Sequence, residues 1–433
     1  MIIAPSAYTL GGVQTWLDYL MPGLKRSGWR VILGLVSGRH HDVNAYLAAH
    51  PYDNTISIEN RTGSAEGRVD AIAKAVRAVR PNIVVVVNII DVYAAVLRLK
   101  KRFGGHPKVV ATLHGLQSDF VYDTKTYGGI VDGVICTNRL LQELVQECSG
   151  IEHRRVLYAP YGVNFPCKPK SIESTRELVT IAYVGRLERT QKRFHDVVEI
   201  LDLALRNGLK VKLIVAGEGS EMNWFVEELK NRNLSNHVEV LGELTQSQLV
   251  SNVYGVADAL LITSSWETGP IVAWEAMAHG KVVITSKYIG SGKEGALVEG
   301  HNCLMFDIGD ISSAVECIAR LGHKEHKEML VRNSLSVVGK RYSLEQSIEA
   351  WAEQLRTVMS LAPRRNLELR SDFQDATGRL DRVLGMRVGE RVRKILRREF
   401  VHKEAGGEWP HTFAKIQNGD MDFLAVAGSV DRS

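Results

Sequence analysis

The feature that most constrains this fold is an alternation, from residue 2 to about residue 340, of short apolar β-rich runs with helical periodicity. In the first half, strands are predicted at 2–4, 31–36, 83–90, 109–113 and 134–136. The pattern then restarts, with strands predicted at 180–184, 212–216, 237–241, 259–262 and 282–285. Strand–helix alternation of this kind predicts βαβ units and parallel sheets that helices cover on both faces. The sequence therefore predicts an α/β protein with two doubly wound parallel sheets.

Length and composition exclude several other classes. A chain of 433 residues with 45% hydrophobic and 24% charged residues is typical of a globular protein with two or more domains, not of a disordered chain or a fibre. A net charge of +5 is too small to indicate nucleic-acid binding by itself. Five cysteines without metal-ligand spacing favour a reducing compartment. With no long apolar run and no secretory signal at the start, we expect a cytoplasmic protein.

Turn-rich residues 158–170 (YAPYGVNFPCKPK) indicate a hinge between the two halves. We therefore predict an N-terminal domain at 1–165, a second domain at 166–342, a helix at 343–362 that packs back on the body, and a basic, polar tail at 363–433.

The tail segment 379–403 holds nine Lys or Arg against three acids, with apolar residues at helical spacing. One interpretation is a basic amphipathic helix that lies on an anionic membrane. The alternative is a solvated helix whose apolar stripe packs on the body. A second basic run, RLKKR at 98–102, supports the membrane interpretation.

The stretch 264–280 (SSWETGPIVAWEAMAHG) carries the most chemical information, and it follows a predicted strand. Pro270 suits the first position of a helix, and Gly280 suits the position just past its end. The helix between them is apolar almost all round, so its acid, Glu275, is predicted to be buried and to need a partner. Glu267 precedes the helix start, whose N–H groups attract anions. A sugar nucleotide, with hydroxyls at both ends and phosphate between them, would satisfy these features.

The frame ETGPIVAWEAMAHGKVVIT, which contains E-x7-E, resembles the signature of the retaining GT-B glycosyltransferases of family four. Other pieces occur in that family's order across roughly residues 1 to 360: Gly11-Gly12, His114-Gly115, Gly185-Arg186-Leu187, Gln191-Lys192-Arg193 and Gly217-Glu218-Gly219. The resemblance implies two Rossmann-like domains that face an interdomain cleft, with the acceptor on the N-terminal side. It also implies transfer of a hexosyl unit from a UDP or GDP sugar, with retained anomeric configuration and without a metal or other cofactor.

The resemblance assigns roles to individual residues. Glu267 contacts the transferred sugar and supports the charge that develops at its anomeric centre, and His114 lies at the edge of the donor sugar; these are the predicted catalytic residues. Arg186 and Lys192 match the phosphate-binding pair, and Glu275 matches the carboxylate that holds the ribose hydroxyls. The other predicted donor-binding residues act through their backbone: Gly11, Gly12, Gly217, Gly219, Gly269, Ile271 and Val272. Each residue also has a simpler interpretation, as a surface cation, an ion pair, a turn or a structural histidine.

The family usually has Gly-Phe-Gly after the first Glu, whereas this chain has Thr268-Gly269-Pro270. Proline removes one N–H that could meet phosphate. This departure keeps a second function open, a non-catalytic sugar-nucleotide-binding paralogue that acts as an adaptor through its basic tail. An epimerase or phosphorylase with the same fold is a third. Two isolated motif matches carry no site. GSGKEG at 290–295 is not followed by a strand with an acidic end at the right distance, and Glu294 stands where a P-loop needs Ser or Thr. DMD at 420–422 lies in a polar tail with no preceding strand.

The expected partners are a nucleotide-sugar donor, a saccharide or lipid-linked acceptor and an anionic membrane surface, with no nucleic acid. Acceptors of this family are often lipid-linked, which suggests cell-surface polysaccharide, lipopolysaccharide or glycolipid synthesis. We therefore expect an enzyme that is peripheral to the inner face of the cytoplasmic membrane.

Overall fold

The structure is a computed structural model, and it describes residues 1–6, 11–37, 42–103, 107–166, 178–364, 378–399 and 419–433. The chain forms two compact units. The first contains Met1–Ala159 and Ile348–Ala425, and the second contains Pro160–Ser347 and Val426–Ser433. The domain limits expected from the sequence stay a prediction. Cys167 and residues 400–403 of the basic tail segment lie outside the described residues.

The first unit contains a seven-stranded parallel sheet in the order β3-β2-β1-β4-β5-β6-β7. Its strands are β1 (Ile2–Pro5), β2 (Leu33–Val36), β3 (Thr55–Ile58), β4 (Ile83–Val87), β5 (Lys108–Leu113), β6 (Gly133–Cys136) and β7 (Val156–Tyr158). Its helices are α1 (Gly12–Arg26), α2 (Val43–Ala49), α3 (Ala65–Val79), α4 (Asp91–Phe103), α5 (Ser118–Tyr127) and α6 (Arg139–Cys148). Every residue of β4, IVVVV, is buried, as expected for a central strand with helices on both faces.

The second unit contains a six-stranded parallel sheet in the order β10-β9-β8-β11-β12-β13. Its strands are β8 (Val179–Val184), β9 (Val211–Ala216), β10 (Val238–Gly242), β11 (Ala259–Ile262), β12 (Val282–Ser286) and β13 (Leu304–Phe306). Its helices are α7 (Phe194–Arg206), α8 (Met222–Asn231), α9 (Gln246–Leu249), α10 (Ile271–Ala278), α11 (Ile311–Ala319) and α12 (Lys324–Arg341). A π-helical segment, Val250–Tyr254, follows α9.

In the described part of the chain, α12 is followed by α13 (Leu344–Ser360), α14 (Arg379–Leu384), α15 (Met386–Leu396) and α16 (Gly419–Arg432). From Ile348 onward, α13 belongs to the first unit. The four described cysteines, Cys136, Cys148, Cys303 and Cys317, are free thiols.

All ten strands that the sequence predicts are present, within a few residues at their ends. Three short strands escaped prediction: β3, β7 and β13. Each lies at the edge of its sheet and has only three or four residues. Edge strands are covered less completely than central ones, so their sequences carry a weaker apolar signal.

The basic tail helix is not the continuous helix that the sequence suggested, because Gly385, with φ 77°, separates α14 from α15. Its polar side faces the body. Glu390 is buried and accepts hydrogen bonds from the hydroxyls of Thr62 (2.7 Å) and Ser64 (2.5 Å), and Arg393 pairs with Asp381.

The apolar side of these helices faces outward, with Val383 81% and Ile395 79% exposed. The prediction that the apolar stripe packs on the body is therefore wrong, because buried hydrogen bonds and ion pairs hold the helices instead.

The RLKKR run does not form the continuous basic patch that the sequence suggested. Arg98 pairs with Glu66 (2.5 Å) and Asp70 (3.0 Å). Lys100 is buried against Asp132, with 2.9 Å between ammonium and carboxylate. Helical geometry on α4 directs alternate members of the run to different neighbours, so this observation removes one of the two reasons for expecting membrane binding.

Candidate active site

The loop between β8 and α7 presents two of the predicted phosphate-binding cations. The Tyr183 hydroxyl donates to the backbone oxygen of Arg186 (2.7 Å), and the Arg186 guanidinium donates to the Gln191 side-chain oxygen (3.0 Å). The backbone N–H of Lys192 donates to the Glu188 carboxylate (2.5 Å). The loop is therefore organised by its own side chains.

A second loop, between β11 and α10, is joined directly to the first. The Thr263 hydroxyl donates to the Lys192 carbonyl (2.7 Å), and the Ser265 N–H donates to the Gln191 carbonyl (2.7 Å). The Gln191 amide also donates to the Trp266 carbonyl (3.1 Å). Because both loops follow strands of one parallel sheet, they meet at its carboxyl edge, where open α/β sheets bind ligands.

These loops bring Lys192 and Glu267 together. The Lys192 ammonium lies 2.5 Å from Glu267 Oε1, and the Ser264 hydroxyl donates to the same oxygen (2.6 Å). Glu267 is only 7% exposed. A buried carboxylate is costly without a partner, and here it has a cation and a hydroxyl.

Helix α10 begins at Ile271, four positions after Glu267. Gly269, with φ 90°, adopts the left-handed conformation that favours glycine. Pro270 is the N-cap and not the first helical residue as the sequence suggested, while Gly280 lies just past the end as predicted. Among the described residues, no protein acceptor meets the N–H groups of Ile271 and Val272. Such a helix start can bind an anion.

Glu275 is 3% exposed, and both of its oxygens are hydrogen-bonded. The Gln246 amide donates to Oε1 (2.8 Å), and the Tyr254 hydroxyl donates to Oε2 (2.8 Å). Burial raises the pKa of Glu275 from 4.5 to about 7, although these two hydrogen bonds oppose the shift. The sequence predicted burial and a partner for Glu275, but it did not identify the partners.

Packing against a neighbouring backbone segment requires glycine at positions 217 and 219, which the sequence did not reveal. A Cβ atom on Gly217 would collide with the Gly185 carbonyl, and one on Gly219 would collide with the Leu187 carbonyl. The Gly217 N–H already donates to the Gly242 carbonyl (2.7 Å). Close approach of two backbone segments therefore requires both glycines, whether or not a nucleotide also lies there.

The predicted residues of the first unit lie at the carboxyl edge of its own sheet. Gly11, with φ 150°, is the N-cap of α1, and Gly12 is the first helical residue. His114 accepts from or donates to the Thr112 hydroxyl (2.9 Å) and packs against the Trp16 ring of α1, with 4.5 Å between ring centroids. Burial lowers the pKa of His114 to about 3, so the ring is neutral at ordinary pH.

Within the second unit, hydrogen bonds and one ion pair join Arg186, Lys192 and Glu267. Glu275 lies about one turn inside α10 and has a separate set of contacts. The sequence missed four side chains that organise these groups: Gln191, Ser264, Gln246 and Tyr254. Only Gln191 and Ser264 carried a signal, because each is close in sequence to a predicted residue. Among the described residues, no group of three or more His, Cys, Asp or Glu side chains is placed to hold a metal ion.

Two doubly wound parallel sheets, each with polar loops at the carboxyl ends of its strands, are the architecture of the GT-B glycosyltransferases. Residues 10–165 match the family model "Glycosyltransferase Family 4", and residues 167–336 match the model "Glycosyl transferases group 1". The chain therefore belongs to the GT-B glycosyltransferases that these models describe, which confirms the family and fold that the sequence suggested, while retention of configuration stays a prediction.

Named relatives are distant. Over 141 residues, the chain is 29% identical to glycogen synthase from Mycobacterium tuberculosis. This match covers 32% of this chain and 33% of the relative. It is 24% identical over 271 residues to lipopolysaccharide 1,6-galactosyltransferase from Escherichia coli, covering 60% of this chain and 72% of that one. The first match thus spans about a third of the relative's length.

Among solved structures, HepE from Anabaena in complex with UDP and glucose superposes with a TM-score of 0.67 at 18% identity, covering 82% of this chain and 98% of the other. At this identity the likeness establishes the fold. No described helix of the protein combines the length and the apolar character that crossing a bilayer requires.

Proposed function

We propose that the protein transfers a hexosyl unit from a UDP or GDP sugar to a saccharide or lipid-linked acceptor, with retention of anomeric configuration and without a protein-held metal. The observation that carries the proposal is the joining of Lys192, Arg186 and Glu267 beside the start of α10. The relatives' names favour this reaction class: one is a galactosyltransferase of lipopolysaccharide, and HepE was crystallised with UDP and glucose.

The cations suit the leaving group. As the glycosidic bond breaks, the departing diphosphate gains negative charge that must be neutralised where it forms. Arg186 and Lys192 can supply fixed positive charge, and the N–H groups of Ile271 and Val272 can add hydrogen bonds from a helix start. An ammonium has three donors, and Glu267 uses one of those on Lys192, so phosphate can bind without breaking that ion pair.

The two carboxylates suit the two ends of the donor. Glu267, held by Lys192 and Ser264, is assigned to the sugar and to the charge that develops at its anomeric centre. Glu275 is assigned to the ribose hydroxyls, for which its carboxylate form is the better acceptor. We assign Gly11, Gly12 and His114 of the first unit to the donor on the family resemblance alone, and His114 would act there as a neutral hydrogen-bonding group.

The direct test is a screen of UDP and GDP sugars against the purified protein, read by nucleotide release and by the anomeric configuration of the product. Glu267→Gln and Lys192→Ala should each abolish transfer with the fold intact. Arg189→Ala is the matched control, because Arg189 is a cation of the same loop that pairs on the surface with Glu221 (2.7 Å). Wild-type rates in both active-site variants would place the site elsewhere.

Other outcomes separate the alternatives. Tight nucleotide binding without turnover on any acceptor would favour the non-catalytic adaptor. A product that is an epimerised donor or a sugar phosphate would identify an epimerase or a phosphorylase. Failure to bind any UDP or GDP sugar would contradict the proposal itself.

We also propose that α14 and α15 contact an anionic membrane, where lipid-linked acceptors reside, at the cytoplasmic face. The tail surface is the outward side of these helices. Its exposed side chains are apolar or basic, with one acid, Glu399, at its end: Val383, Leu384, Met386, Val388, Ile395, Leu396, Arg379, Arg382, Arg387, Arg391, Lys394, Arg397, Arg398 and Glu399. The two acids that lie between them, Asp381 and Glu390, are buried. An apolar face fringed with cations is what an anionic lipid surface attracts, by about 1 kcal/mol per Lys or Arg.

The test is co-sedimentation with vesicles of phosphatidylglycerol and phosphatidylcholine, compared with phosphatidylcholine alone. Val383→Asp combined with Ile395→Asp should weaken binding to the anionic vesicles, whereas Val256→Asp should not, although Val256 is also exposed at 49%. Unchanged binding in the double variant, or after deletion of residues 363–433, would show that the tail surface does not bind the membrane.

A further inference from the structure

The last helix, α16, ends in an unusual contact with the loop that follows β12. The Asp431 carboxylate accepts three backbone hydrogen bonds: from Gly290 (2.7 Å) and Gly292 (3.1 Å) to Oδ2, and from Lys293 (2.8 Å) to Oδ1. These N–H groups belong to the GSGKEG segment whose motif match had no nucleotide-binding context. In this structure the segment's N–H groups surround a carboxylate of the chain itself.

The local helix structure does not favour an acid at position 431, so the three hydrogen bonds must stabilise it there. Asp431 lies in the last turn of α16, where the helix dipole disfavours an acid. It is nevertheless only 8% exposed. Three N–H donors converging on one carboxylate compensate for both costs, as in other backbone nests that bind anions.

The packing of α16 brings Asp431 to this position. Among residues 421–432 of the helix, the buried ones are Leu424, Ala427, Gly428 and Asp431, which lie at the i, i+3, i+4, i+7 spacing of one helical face. Gly428 permits close approach, since a Cβ atom there would lie 3.3 Å from Ile289 Cδ1. Gly292 has the same role on the loop, where a Cβ atom would collide with the Asp431 carbonyl.

The loop residue next to this contact holds the segment that carries Glu267. The Ile289 N–H donates to the Ser265 carbonyl (3.0 Å), and the Glu267 N–H donates to the Ile289 carbonyl (3.1 Å). Asp431 binds the N–H of Gly290, which directly follows Ile289, so the carboxylate contact lies next to the pairing that fixes the Glu267 backbone. A shift of the loop would move Glu267 relative to Lys192.

We propose that Asp431 is a positioning residue, which fixes the 289–293 loop and through it the backbone of Glu267. The inference rests on the proposed transfer reaction, because Glu267 is the group whose placement matters. Loss of the carboxylate should therefore impair the chemical step more than nucleotide binding, since the latter depends on Glu275 and the phosphate-binding cations.

The other end of the loop has its own support. The Glu294 carboxylate accepts from the Tyr342 hydroxyl (2.5 Å) and pairs with Arg341 (3.1 Å). The Tyr342 ring stacks on Trp274 of α10, with 4.0 Å between centroids. Removal of Asp431 should therefore release residues 289–293 while the rest of the unit stays folded.

The experiment compares Asp431→Ala and Asp431→Asn with Asp422→Ala, which removes an exposed acid from the same helix. Hydrogen exchange of the full-length protein is measured at amides 289–293, and kcat and donor KM are measured with the donor found by screening. In Asp431→Ala we expect these amides to exchange at least about tenfold faster and kcat to fall about 10-fold to 100-fold, with donor KM within about twofold. Asp431→Asn, which keeps one accepting oxygen, should lie between, and Asp422→Ala should match the wild type.

Unchanged exchange at 289–293 in Asp431→Ala would overturn the proposal, because the loop would not depend on the carboxylate. Faster exchange with unchanged kcat would also overturn it, because Asp431 would then be only a local anchor. Equal losses in kcat and in nucleotide affinity would do the same, since they would indicate general damage to the unit. If the wild type transfers no sugar, the proposed reaction fails first, and the exchange measurement still reports whether Asp431 holds the loop.

Discussion

Glu275→Gln should stabilise the fold at high pH and weaken donor binding, because ionisation of the buried carboxylate lowers the free energy of unfolding. The pKa of Glu275 is raised from 4.5 to about 7. An acid whose pKa is higher in the folded state destabilises the protein when ionised. The cost is nearly absent below pH 4.5, grows as the pH rises, and is complete above pH 7. At 1.36 kcal/mol per pKa unit, it reaches about 3 kcal/mol at pH 8 and about 1 kcal/mol at pH 5.

Glutamine cannot ionise, and its amide can still meet Gln246 and Tyr254. The variant's free energy of unfolding, relative to wild type, should therefore rise by about 2 kcal/mol between pH 5 and pH 8. Urea unfolding at both pH values measures this difference. At pH 8 the same variant should bind the donor nucleotide about tenfold more weakly, since it lacks a charged acceptor for the ribose hydroxyls.

Glu227→Gln is the control, because Glu227 is an exposed acid of the same unit. Its difference from wild type should be the same at both pH values. A Glu275→Gln variant that differs from wild type by the same amount at pH 5 and pH 8 would refute the reasoning, since the carboxylate would then not be held against its ionisation. Wild-type nucleotide affinity in Glu275→Gln would show that Glu275 does not bind the donor.

Three further predictions concern buried or half-buried side chains elsewhere in the two units. Tyr254→Phe removes a hydrogen bond that lowers the pKa of Glu275, so the pH dependence of nucleotide binding should move upward by about one unit; an unmoved profile would separate Tyr254 from the titration. Burial lowers the pKa of His114 to about 3, so its NMR signals should not titrate between about pH 5 and pH 8. A titration midpoint near 6.5 would show that the ring is solvated. Asp132→Asn leaves the buried Lys100 ammonium without its ion-pair partner and should cost about 3–5 kcal/mol of unfolding free energy. Asp53→Asn, at an exposed pair, should leave the midpoint of the same urea titration nearly unchanged, and equal losses in the two variants would contradict this prediction.

The sequence predicted the sheets because their central strands are buried on both faces, which leaves uninterrupted apolar runs such as IVVVV in β4. It did not predict the edge strand β3, whose TISI sequence is only partly buried. It also misjudged the tail helices. Periodicity shows that α15 has an apolar and a polar face, but it does not show which face is buried. Glu390 meets the hydroxyls of Thr62 and Ser64, which lie more than 300 residues earlier in the chain, so no local pattern could reveal that contact.

The same distinction holds for the candidate site. Glu267 and Glu275 could be identified because one short helix start carries both. Gln246 could not, since its contact with Glu275 joins α9 to α10 across 29 positions. The contact of Asp431 with Gly290 is harder still to predict from sequence, because it depends on how the last helix packs. Local sequence thus identifies the groups suited to the chemistry, and tertiary packing decides what holds them.

The central claim is that cations of the β8–α7 loop bind the diphosphate of the donor. Calorimetric titration of wild type, Lys192→Ala and Arg189→Ala with the nucleoside diphosphate of the active donor, and with the corresponding nucleoside, tests it most directly. In Lys192→Ala the diphosphate should bind at least about tenfold more weakly while the nucleoside binds within about twofold of wild type, and Arg189→Ala should change neither. Equal weakening of both ligands in Lys192→Ala, or of neither, would contradict the claim.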